Sequence, residues 1–156
     1  MKNKQILFVF ILAAIGFTFI GCSKVILLST VPYEIEATEK ASITFERKSG
    51  IIQRASSGVF CIAASGVPLP EQNKAYNPLQ IPANSEKLLK LRVYHLAYDA
   101  ISVNPNYNMD KEIEFICPPL SQGHYTITYL FNFFGGGNKR IALKDSTGKI
   151  IKEEKF

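Results

Sequence analysis

The chain has 156 residues, 47% of them apolar and 20% charged, with a formal net charge of +5. That length fits one domain, or two only if both are small. Plentiful aromatic and β-branched residues exclude a disordered chain, and three cysteines with two histidines exclude a large metal cluster or a zinc-finger array.

The first 21 residues hold 14 apolar residues and no acid. Lys2 and Lys4 precede an unbroken apolar run from Ile6 to Ile15, which continues past Gly16 and Thr18 to Ile20. A basic start, a short apolar middle and a small residue at the end form the layout of a secretory signal peptide, helical while it lasts. The competing reading is an uncleaved membrane anchor, but a spanning helix wants about 20 apolar residues, and Lys24 interrupts before Val25 could extend this one.

The run closes with Phe19-Ile20-Gly21-Cys22-Ser23. This resembles the lipobox of bacterial lipoproteins, with Phe19 standing where that family usually has Leu. The resemblance implies a thioether-linked diacylglyceryl group on the Cys22 thiol, cleavage between Gly21 and Cys22, and acylation, for example by palmitate, of the new amine. Two or three acyl chains make a stable anchor where one holds only marginally. In lipoproteins of enteric-type bacteria an Asp after the cysteine retains the protein at the inner membrane, so Ser23 implies the outer membrane. The expected division is a signal peptide over 1–21 and a lipid-anchored domain over 22–156, the latter with 16 basic and 13 acidic residues, a net charge of +3.

Two cysteines remain for that domain, Cys61 and Cys117. In an exported protein a leftover pair reads as a disulfide, worth roughly 4 kcal/mol in the chain-entropy model. The alternative is two buried free thiols. Both lie in apolar runs, so both readings place them inside.

Strand patterns follow in chain order. Ile43 and Phe45 alternate with Thr44 and Glu46, and Val59–Ala64 is a wholly apolar run between Gly58 and Gly66. A long loop with Pro68, Pro70, Pro78 and Pro82 is expected from Gly66 to Ser85. Leu89, Leu91 and Val93 alternate with Lys90, Arg92 and Tyr94. An irregular Asn-rich stretch, Asn104–Asp110, precedes Ile113, Phe115 and Cys117, which alternate with Glu112, Glu114 and Ile116. Tyr125, Ile127, Tyr129, Phe131 and Phe133 form the clearest pattern. Gly135-Gly136-Gly137 closes a hairpin onto Lys139–Lys144, and Asp145–Gly148 forms a turn into Lys149–Lys155. No window carries a helical stripe after the signal. About seven strands predict an all-β domain, an antiparallel sandwich or a small barrel.

One motif favours the sandwich: Leu120, Gly123 and Tyr125, spaced at the start of a strong strand. It resembles the tyrosine corner of fibronectin type III and immunoglobulin-like domains, which implies a Tyr hydroxyl bonded back to the preceding crossover. The chain departs from true immunoglobulin domains in having no tryptophan, and Cys117 precedes the tyrosine.

Little in the sequence carries catalytic chemistry. His95 with Asp99 and a serine could form a triad, but no Gly-x-Ser-x-Gly elbow accompanies it, and no phosphate loop exists. Asn104, Asn106, Asn108 and Asp110 alternate like calcium ligands, with one charge among the four; a polar turn is the better reading. Neither a metal nor another cofactor is expected. Lys139, Arg140, Lys144, Lys149, Lys152 and Lys155 crowd the last hairpin, where they would meet anionic lipid or polysaccharide or simply block strand-edge aggregation. Tyr76, Tyr98 and Tyr107 are placed in or near loops, able to stack on a sugar or a partner protein. The reading is a non-enzymatic envelope lipoprotein that acts as a binding or assembly module. Its partners are a membrane through the lipid and an envelope protein or polysaccharide, not nucleic acid. A small envelope hydrolase or carbohydrate-active enzyme using His95, or a structural subunit of an envelope complex, is the alternative.

Overall fold

Alternation of apolar and polar residues is the main force shaping this chain, because it gives each strand one face that must be buried. The computed structural model describes residues 28–50, 55–97, 109–131 and 139–156. The segment expected as a signal peptide, with Gly21, Cys22 and Ser23, lies outside the described residues, as do 104–108 and the three glycines at 135–137. The described chain is all-β, without a helix. Its strands are β1 (Ser29–Tyr33), β2 (Lys40–Phe45), β3 (Arg47–Gly50), β4 (Ala55–Ala64), β5 (Lys74–Pro82), β6 (Lys87–Ala97), β7 (Met109–Cys117), β8 (Gly123–Phe131), β9 (Lys139–Asp145) and β10 (Ile150–Lys155).

They form one hydrogen-bonded path, β10-β9-β8-β2-β5-β4-β6-β7, with β1 beside β5 and β3 beside β4. The sheet is mixed. β1 runs parallel to β5 and β2 parallel to β8, which corrects the expectation of a purely antiparallel sheet. Ten strands also exceed the expected seven. β1, β3 and β5 were the ones hidden, because short or proline-rich segments carry no alternation to read.

β5 is the largest correction. The segment expected to be the longest loop holds a central strand, with Ala75, Tyr76, Leu79 and Ile81 buried. Tyr76 is therefore a core residue and not a loop aromatic. Leu79 pairs with Tyr33 of β1 and with Ile43 of β2, so these two flank it. Tyr76 is flanked in the same way by Val31 of β1 and Cys61 of β4. The edge of β5 away from β1 is thus shared, its first half meeting β4 and its second half β2. The change of partner falls at Asn77-Pro78, a cis peptide. Pro78 has no N–H to donate to a ladder, and the Asn77 side chain continues the pairing instead. Its Oδ1 accepts from the Phe45 N–H at 3.1 Å and its Nδ2 donates to the Phe45 carbonyl at 3.0 Å.

Two limbs diverge from this strand, β4-β6-β7 and β2-β8-β9-β10. The chain crosses between them at Glu46, whose N–H donates to the Ile127 carbonyl in β8 while its carbonyl accepts from Val59 in β4. The limbs curl toward each other until the sheet is nearly barrel-shaped. Between them lies the core, which includes Ile43, Phe45, Val59, Leu79, Leu91, Phe115, Ile127 and Leu143. Each such side chain contributes about 2 kcal/mol by leaving water.

The far ends of the path, β7 and β10, are brought together without a backbone ladder. Lys152 of β10 donates from Nζ to the Ile116 carbonyl at 2.6 Å and lies 5.0 Å over the Phe115 ring. Lys111 of β7 lies 5.8 Å over the ring of Phe156, just past β10. Side chains close this seam.

A second, smaller cluster sits on the outer face of β4–β6, formed by Leu28, Phe60, Ala75 and Tyr94. Phe60 and Tyr94 stack at 5.3 Å, with the Arg47 guanidinium over Phe60 at 5.2 Å. Gly58 makes room for this: a Cβ there would meet Tyr94 Cε1 at 2.9 Å and Arg47 Cγ at 3.0 Å.

Candidate functional site

Cys61 and Cys117 are both buried and both free, which corrects the expected disulfide. The register explains why. Cys61 of β4 lies opposite Leu91 of β6, and Cys117 of β7 lies opposite Lys87 of the same strand. With β6 between them, two strand spacings of about 10 Å in total already exceed the 4.4–6.8 Å Cα span of a disulfide. Each thiol turns to nearby backbone, Cys61 Sγ to the Ala63 carbonyl at 3.4 Å and Cys117 Sγ to the Pro118 carbonyl at 3.7 Å. Burial pushes both thiols up to about 12, opposed for Cys117 by the charge of Lys152. Neither is a nucleophile at neutral pH, since only the thiolate reacts.

His95 sits in β6 with 6% of its surface exposed, its ring 6.5 Å from that of Tyr129. Burial lowers its pKa and Lys139 lowers it further. The Tyr129 hydroxyl is raised to about 12 by burial. Asp99, the partner a triad would need, lies outside the described residues. His124 is exposed at the start of β8.

Tyr125 donates from its hydroxyl to the Ser121 carbonyl at 3.0 Å, with Ser121 Oγ at 2.9 Å from the same oxygen. Leu120 is buried beside it in the core. This bond ties the Pro118–Gln122 crossover to the strand it feeds.

The charged residues are more balanced than a cationic hairpin would be. Arg140 pairs with Glu153 at 3.2 Å, and Lys152 turns to the seam, where it also meets Glu154 at 2.7 Å. Asp110, the only acid of the Asn-rich stretch, holds Arg92 through two bonds of 2.6 and 2.7 Å. This bidentate pair raises the Arg92 pKa. Among the described residues no group of three His, Cys, Asp or Glu side chains could hold a metal ion. At the β9–β10 turn Asp145 Oδ1 accepts from Thr147 Oγ1 and from the N–H groups of Thr147 and Lys149, which lowers its pKa. Gly148, at φ +86°, supplies the left-handed position the turn requires.

The first part of the expected Gly66–Ser85 loop does remain a loop, between β4 and β5, and its tip is Pro68-Leu69-Pro70. Leu69 is 76% exposed, the most exposed large apolar residue described. Both ends of this tip are fixed. Val67 packs on the core and donates to the Ala64 carbonyl at 3.1 Å, and Lys74 donates to the Glu71 carbonyl at 3.0 Å. A leucine between two prolines was the signal available for it. Leu88 and Ile116, also exposed, pair across β6 and β7 nearby, with the Ser65 N–H on the Leu88 carbonyl at 2.9 Å.

Comparison of the chain with protein-family models, curated proteins and solved structures finds no match.

Proposed function

We propose that the chain is a cell-envelope lipoprotein of a bacterium, anchored through acylated Cys22 and acting as a non-enzymatic binding or assembly module. The observation that carries this is the sequence Phe19-Ile20-Gly21-Cys22 at the end of an apolar run opened by Lys2 and Lys4. Ser23 after the cysteine, where an Asp would retain such a protein at the inner membrane, supports an anchor at the outer membrane. Burial of His95 beside Tyr129 supports the non-enzymatic reading, because a general base must reach its substrate. Two limbs facing each other across one core, and the Tyr125–Ser121 bond, support an immunoglobulin-like architecture, with no family assigned. The test is metabolic labelling: palmitate enters the wild type and is lost in Cys22→Ala, whereas equal labelling of both refutes the assignment.

A further inference from the structure

We propose that the Pro68-Leu69-Pro70 tip rests in the interfacial layer of the bilayer that holds the anchor, so that one fixed end of the domain faces the lipid. This rests on acylation at Cys22. Leu28 is buried against Phe60, Ala75 and Tyr94, and β1 starts one residue later. From Cys22 to Leu28 there are six residue steps, which span at most about 20 Å however the chain runs. The domain therefore cannot stand off the membrane on a long stalk.

The pairing then selects the end. Ser29, the first residue of β1, is the ladder partner of Lys74, the first residue of β5. The loop carrying Leu69 ends at that lysine, so the anchored end of the chain and the tip share one end of the strand. The opposite end of β5, at Pro82, lies a nine-residue strand away, about 30 Å, beyond the reach of the tether. The tip has the chemistry of an interface. Leu69 is held outward between two prolines instead of folding onto the core. The Lys87 ammonium lies over Gly66, 3.6 Å from where its Cβ would be, and Lys74 stands at the loop's end, paired with Glu71. Leu88 and Ile116 extend the apolar surface behind it. Because acids and bases are mixed there, apolar insertion and not net charge drives the contact, with lysine stems following the apolar surface to their charged heads.

The test uses the full acylated protein in phosphatidylethanolamine–phosphatidylglycerol vesicles, with an environment-sensitive fluorophore on Leu69→Cys or, in a second variant, on Ser146→Cys at the β9–β10 turn. Cys61 and Cys117 are buried and free, so a short labelling pulse reaches the introduced, exposed cysteine first, and the unsubstituted protein given the same pulse supplies the background. The expected result is a blue-shifted emission quenched by doxyl lipid at position 69, and an unshifted, unquenched emission at position 146. Acylated, vesicle-bound protein with both positions in water overturns the orientation alone. A chain without acyl groups, read by mass spectrometry of the same sample, overturns the anchor reading and the orientation together.

Discussion

The two closures of this sheet are built differently. On one side the limbs are joined by backbone: β5 shares its edge between β4 and β2, with Asn77 completing the ladder at Phe45, and Glu46 bonds both limbs. On the other side β7 and β10 are held by Lys152 and by the Lys111–Phe156 contact. A ladder spreads its bonds over rigid groups, whereas a lysine must give up side-chain entropy for each contact. The backbone corner should therefore carry more stability than the seam, and the seam should open first.

Asn77→Ala is the strongest way to probe the corner. It strips partners from the N–H and the carbonyl of Phe45, each worth about 1–3 kcal/mol when left unsatisfied. A loss of about 3 kcal/mol in urea unfolding is expected. Lys152→Met keeps the seam packed but removes the bond to Ile116 and the cation over Phe115, for about 1 kcal/mol. Should Lys152→Met cost as much as Asn77→Ala, the contrast between the two closures is broken.

His95 adds a smaller, pH-dependent effect. Its pKa falls below the ordinary 6.5 on folding, through burial and then Lys139. The unfolded chain therefore binds the proton more readily, and stability rises with pH up to about 6.5 and levels off above it. Acidifying from pH 7 should lower the unfolding midpoint as pH drops below 6.5, and His95→Phe should flatten that part of the profile. A wild-type midpoint unmoved by this acidification would contradict the neutral, buried state.

What could be read from the residues was whatever depends on neighbours close in sequence. β8, β9 and β10 are consecutive antiparallel strands with turn residues between them, and Tyr125, Ile127 and Tyr129 display their buried face directly. β5 was illegible because its partners are non-local. Its two ladder flanks are a parallel strand whose paired residues stand 45 or 46 positions upstream and two strands from different limbs, and its register turns on an asparagine whose side chain acts as backbone. Prolines at 78 and 82, which argue against a strand on propensity alone, are tolerated here because Asn77 and the strand end absorb the missing donors. The disulfide failed for a related reason, since cysteine count and compartment say nothing of the β6 strand between the two thiols. Leu69 was visible only as a leucine in a proline-rich stretch, and its meaning depends on the pairing of Ser29 with Lys74.

The two thiols provide the finest test of the contrast, because one lies at each closure. Cys61 sits opposite Tyr76, where β4 joins β5, and Cys117 sits at the end of β7, beside the seam that Lys152 holds. With no bond between them, a reductant should leave the unfolding midpoint unchanged, and both should react with Ellman's reagent in denaturant without prior reduction. Under native conditions both are protonated, with pKa values near 12, so labelling requires local opening. If the seam opens more readily than the ladder-closed corner, Cys117 labels faster than Cys61, and Lys152→Met widens the gap by accelerating Cys117 alone. Equal rates at the two positions, in wild type and variant, would mean that the domain opens only by unfolding as a whole, and that its two closures are equally strong.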